Sequence, residues 1–147
     1  MKPIYHVTIS AGLSALLHAW FQSWNATIAC FLSGIFIDLD HHLDYFICQR
    51  KIPLSYKKLV EWCGSHKTGR FYMVLHSFEL LIILWVSIYF LKLNEVWIGF
   101  ALGVSVHLIC DQIVNPLRPL YYFLIYRFMH RFDRRSLYKE EYVRKYL

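Results

Sequence analysis

Apolar residues dominate the first quarter of the chain. From Pro3 to Ile37 there is no Asp, Glu, Lys or Arg, a run of 35 positions. As one helix this run would be about 50 Å long, more than a ~30 Å hydrocarbon layer requires. The polar break Gln22-Ser23-Trp24-Asn25 divides it, with Asn25 as a fair N-cap for the second half. Two spans are therefore predicted, 5–22 and 25–41. Apolar character returns over 71–91, where Glu79 is the only charged residue, and Lys92-Leu93-Asn94-Glu95 forms a turn. A fourth span, 96–114, ends at Asn115-Pro116, a helix-stop signal. The pattern predicts an all-α integral membrane bundle of about four transmembrane helices, forming a single domain over 1–147. Residues 42–70 read as a loop, with a short interfacial helix around 56–63. The tail, 118–147, mixes aromatics with arginines, which predicts an amphipathic helix in the lipid interface.

Composition supports this reading. Hydrophobic residues make up 57% of the chain and charged residues 18%, whereas a soluble domain carries about 25% charged residues. Mean hydropathy is +0.35. The net charge of +6 would suggest nucleic acid in a soluble protein, but topology accounts for it first. With the N-terminus inside, 15 of the 16 Lys and Arg residues fall in 1–4, 42–70 and 115–147, leaving only Lys92 outside. That bias predicts residence in the cytoplasmic membrane with both termini cytoplasmic. The basic loop and tail are expected to meet anionic lipid headgroups, and no nucleic acid is expected. A signal peptide competes for the first span, but Lys2 is its only basic residue and retention is predicted. Cys30, Cys48, Cys63 and Cys110 show no CxxC spacing, so neither a disulfide framework nor a zinc knuckle is indicated.

Ionisable residues within spans are costly and point to function. In the predicted topology they collect at the cytoplasmic end. His6 opens the first span, and Asp38, Asp40, His41 and His42 close the second. His76 and Glu79 occupy the first two turns of the third, and His107 and Asp111 the end of the fourth. His107 with Asp111 (i, i+4) and His76 with Glu79 (i, i+3) would each share a helix face. Asp38 and Asp40, read as helix C-terminal residues, oppose the dipole and call for a compensating cation. Candidate ligands are His6, Asp38, Asp40, His41, His76, Glu79, His107 and Asp111. This nitrogen and oxygen set suits two or more ions, Zn²⁺ first, with Mn²⁺ or Fe²⁺ as alternatives. Asp40 or Asp38 is the candidate general base toward metal-bound water. Arg70 and His66 are weaker candidates for stabilising anionic charge. His18 is expected to make an interhelical hydrogen bond, His42 to be interfacial, and Asp44 and His66 to be solvated loop residues.

Asp38-Leu39-Asp40-His41, His76-Ser77 and His107-x-x-x-Asp111 followed by Asn115-Pro116 occur in that order. The chain thereby resembles the bacterial and archaeal family of predicted membrane-bound metal-dependent hydrolases. More distantly it is similar to the zinc-dependent phospholipase C and S1/P1-type nuclease superfamily. It departs in having Ile37 where that family usually has Pro, Leu75 where it has Thr, and His66 farther upstream than the family's His-Arg-Gly run. The resemblance implies a hydrolase class and not a substrate; the leading expectation is metal-dependent hydrolysis of a phosphoester in a lipid or amphipathic substrate at the cytoplasmic membrane surface. Two other classes use the same ligands, a metal-ion transporter and a membrane scaffold with a structural metal. The topology is checked by a reporter fused after Leu147, which is expected to be active only on the cytoplasmic side.

Overall fold

The computed structural model describes residues 3–52, 55, 57–59, 62 and 69–140. It is all-helical, with no strand among those residues. The helices are α1 (Pro3–Phe21), α2 (Trp24–Phe36), α3 (Leu39–Gln49), α4 (Phe78–Leu91), α5 (Glu95–Val114), α6 (Leu124–Met129) and α7 (Arg134–Leu137).

These boundaries differ from the sequence expectation in four places. The second apolar stretch is two helices, because α2 stops at Phe36 and α3 begins at Leu39. Ser23 rather than Asn25 caps α2, its hydroxyl accepting from the Ala26 N–H. The third stretch becomes helical only at Phe78, leaving His76 in irregular chain before α4. In the described part of the tail, 118–140, the chain forms the two short helices Leu124–Met129 and Arg134–Leu137, separated by turns, where the sequence predicts one continuous amphipathic helix. Of the four expected spans, only α5 is both long and apolar enough to cross a bilayer, while α4 is apolar but has 14 residues.

The chain forms two compact units, one from the described residues of 1–37 and 78–115, the other from those of 38–77 and 116–147. The first holds α1, α2, α4 and α5. Beside an apolar core of Leu17, Ala26 and Cys30, its interior holds polar side chains and its surface carries large apolar ones. His6, Ser10 and Ser14, spaced four apart on α1, are buried, while Leu16 and Trp20 on the same helix are 73% and 83% exposed. On α5, Gly99, Gly103, His107 and Asp111 form one i, i+4 row, and all four are buried. The two glycines let α2 approach backbone to backbone. A Cβ at Gly99 would overlap the Ala26 carbonyl, and one at Gly103 would overlap Ser33 Oγ and the Cys30 carbonyl. Small-residue contact of this kind drives helix association where water supplies no force. Ser33 Oγ donates to the Phe100 carbonyl at 2.9 Å, tying the two helices at that level. As expected, His18 is an interhelical residue, its Nδ1 3.0 Å from Thr27 Oγ1 on α2.

The second unit holds α3, the irregular segment 69–77, α6 and α7. Its tail is stitched to the irregular segment. Phe71 N–H donates to the Phe132 carbonyl at 3.0 Å and Arg134 N–H to the Gly69 carbonyl at 3.1 Å. The guanidinium of Arg134 lies over the rings of Trp62 and Phe71, at 4.5 and 4.8 Å. Helix α6 turns its cation inward: Arg127 is buried, whereas Ile125, Phe128 and Met129 are 65–74% exposed.

Gly103→Leu is expected to destabilise the first unit by at least 1–3 kcal/mol through overpacking. Gly12→Ala, at a position with open space around it, should be neutral or slightly stabilising. Thermal unfolding of both variants in detergent checks the contrast.

Candidate metal centre

The eight predicted ligands fall into two groups, one in each unit, with Glu79 in neither. In the first unit His6, His107 and Asp111 converge, all three buried, with their ligand atoms within 4.8 Å of one another. The spacing of the α5 row explains why. One turn beyond Gly103 the row reaches His107, and one turn further Asp111. Their small neighbours on α2 allow the Gly34 carbonyl to meet His107 Nδ1 at 2.8 Å. A carbonyl only accepts, so Nδ1 carries the proton and Nε2 presents its lone pair. That Nε2 lies 3.7 Å from Asp111 Oδ2. His6 stacks on the His107 ring, centroids 3.8 Å apart and planes 15° from parallel. Its Nε2 is 3.2 Å from Asp111 Oδ1. Two imidazole nitrogens therefore face the two oxygens of one carboxylate, a bite that fits a cation with nitrogen and oxygen ligands.

In the second unit Asp38, Asp40, His41 and His76 assemble around the start of α3. Asp40 Oδ2 accepts from the His76 backbone N–H at 3.1 Å and lies 3.2 Å from His76 Nδ1. A carboxylate holding Nδ1–H fixes the tautomer and leaves Nε2 as the ligand atom, the arrangement typical behind metal-bound histidines. His76 Nε2 and His41 Nε2 each lie 3.6 Å from Asp38 Oδ1. The two aspartates thus differ in role. Asp40 is 3% exposed and orients His76. The Asp38 side chain is 29% exposed and faces both Nε2 atoms.

Three sequence expectations are corrected here. Asp38 and Asp40 begin α3 instead of ending a span, so the helix dipole favours their charge and does not itself require a cation. His76 and Glu79 do not share a helix face, since only Glu79 is helical; it sits half-buried in the first turn of α4. Asp44 is not solvated but 1% exposed. His66 lies outside the described residues. Arg70 is exposed, with its guanidinium 3.5 Å from Tyr72 Oη and its carbonyl accepting from the Cys48 thiol.

Sequence reading misses two contributors. One is the Gly99-x-x-x-Gly103 pair, whose continuation at the same spacing into His107 and Asp111 is a legible signal. The other is the pairing of Asp40 with Asp44, an i, i+4 face of α3 whose carboxylates accept backbone N–H groups of the irregular segment. Asp44 Oδ1 takes the Tyr72 N–H at 2.8 Å. Scans against protein-family models, curated proteins and solved structures return no match to this chain.

Burial raises the Asp44 carboxyl to about 6, against the opposing pull of the Tyr72 N–H and the Arg134 charge. An unfolded Asp titrates near ~4, so between the two values the folded chain holds the proton more tightly. The resulting stability is fully present below ~4 and lost as the pH rises through 6. Asp44→Asn keeps an acceptor for Tyr72 and removes this titration. Its melting temperature relative to wild type is expected to rise as the pH increases from 4 to 7; parallel curves would contradict the burial argument.

Proposed function

We propose that the chain is an integral membrane protein that hydrolyses a phosphoester of a lipid or amphipathic substrate at the cytoplasmic face, using water activated by bound divalent metal, Zn²⁺ first. Support for the membrane environment comes from the surface and the polar interior of the first unit. Apolar side chains such as Leu16, Trp20, Ile83, Phe90 and Ile113 are exposed, while His6, Ser10, Ser14, His107 and Asp111 are buried. In water that arrangement would waste apolar burial; in lipid it is the stable one.

One observation carries the metal reading. His107 and His76 each have Nδ1 held by an acceptor and Nε2 turned toward an aspartate oxygen, at 3.7 and 3.6 Å. His6, His107 and Asp111 would hold one ion, and in the second unit Asp38 and His76 are the pair placed to contribute to another. When bound, such ions supply a hydroxide nucleophile at neutral pH and a clamp for phosphoryl oxygens. The protein's own residues do the rest. Asp40 and the Gly34 carbonyl keep the imidazoles in the ligating tautomer. Asp38, the more open carboxylate, is the group able to accept a proton from water, and Asp40 is committed to His76. Anionic headgroups would be met by the exposed Arg131, Arg135 and Lys139.

A second reading has one contact in its favour. His6 Nε2 and Asp111 Oδ1 are 3.2 Å apart, an ordinary hydrogen-bond distance. On that basis the group would be a polar staple between α1 and α5 in a non-enzymatic scaffold.

The deciding measurement is the metal content of detergent-purified protein beside the His107→Ala/Asp111→Ala variant. Two or more ions per chain, lost in the variant together with any phosphoesterase activity while membrane insertion persists, is the expected result. A single tightly held ion that survives without activity would favour the scaffold. No metal after handling without chelators would remove the hydrolase reading.

A further inference from the structure

Segment 72–76 has no helix or strand to satisfy its backbone, yet it carries His76, which is fully buried. Buried peptide groups must find partners elsewhere. The N–H groups of Tyr72 and His76 are taken by Asp44 and Asp40, at 2.8 and 3.1 Å. The Leu75 carbonyl accepts from the Ser77 N–H at 2.9 Å, and three further carbonyls are taken by one residue of the tail. Arg127 Nη1 donates to the Tyr72 carbonyl at 2.6 Å and to the Met73 carbonyl, and Nη2 donates to the His76 carbonyl at 2.8 Å. Arg127 itself is 0% exposed. Met73, between two of these contacts, has φ +42°, a left-handed conformation that a non-glycine residue adopts only under constraint.

We infer that Arg127 is the positioning residue for His76. The His76 peptide is gripped from both sides, its N–H by Asp40 and its carbonyl by Arg127, and Asp40 also holds the ring at Nδ1. With the peptide and Nδ1 both fixed, the direction of Nε2 toward Asp38 is fixed as well. A guanidinium suits this task because its planar fork presents separate nitrogens to carbonyls that lie apart. The compact ammonium of a lysine reaches one such cluster but not both. Arg127 acts through His76 and touches no reacting atom. The inference rests on the metal reading above, and it extends the candidate centre to a residue outside every recognised motif.

The test uses the full chain in detergent, as wild type, Arg127→Lys and Arg127→Met. Zn²⁺ affinity is measured by competition with a chromophoric chelator, and backbone amide exchange is followed for peptides covering 71–77 and α5. Removing a residue that orients a ligand costs about 10–100-fold in metal affinity. Both variants should show a loss of that order and faster exchange over 71–77, with α5 exchange unchanged. Arg127→Lys should retain the smaller part of the protection. If wild type binds Zn²⁺ and the variants bind it equally, the role of Arg127 is overturned while the metal reading stands. If wild type takes up no Zn²⁺, the metal reading falls, and with it the purpose assigned here to Arg127. If protection is lost in α5 as well as in 71–77 for both variants, Arg127 is a folding residue and the positioning role is overturned.

Discussion

The close approach of α2 to α5 is the constraint on which the first unit depends. Two glycines on one face of α5 remove the side chains that would hold the backbones apart. The same face, continued at the same spacing, carries His107 and Asp111. Packing and chemistry therefore occupy one row of one helix. The Gly34 carbonyl that orients His107 comes from the helix admitted by the glycines. A wider crossing would leave that imidazole without its acceptor and free to take either tautomer.

The second unit solves a different problem by different means. Its central segment is irregular, and charged side chains replace the hydrogen bonds that a helix would have made within itself. Asp40 and Asp44 serve the N–H side, and Arg127 serves the carbonyl side. Burying such groups is costly unless their hydrogen bonds are made. These contacts offset that cost and leave His76 with a defined orientation. The cost shows at Asp44, whose second oxygen is buried with no hydrogen-bond partner among the described residues and whose carboxyl is raised by burial to about 6.

Much of this is legible in sequence. The apolar runs predict helices, and the turn at Lys92-Leu93-Asn94 separates α4 from α5 as expected. The His107 and Asp111 pair is readable because both lie within one uninterrupted helix, where spacing translates directly into geometry. His76 misleads for the opposite reason. Its apolar neighbours Met73, Val74 and Leu75 look like the beginning of α4, but tertiary contacts from α3 and the tail hold them out of the helix. Asp38 reads as the wrong end of a helix because Ile37-Asp38 contains no proline or glycine to mark the break. Arg127 looks like one of many surface cations. Only long-range contacts distinguish it from Arg131 or Arg135, and a single sequence gives no view of those.

The grip on segment 72–76 also bears on how this chain can vary over evolutionary time. It engages the main chain, so it places little demand on which side chains the segment carries. Val74 and Leu75 are 44% and 45% exposed. Such positions can drift one at a time. Asp40, Asp44 and Arg127 are free to change only together, a set dispersed over nearly ninety positions of the sequence in which the loss of one member devalues the others.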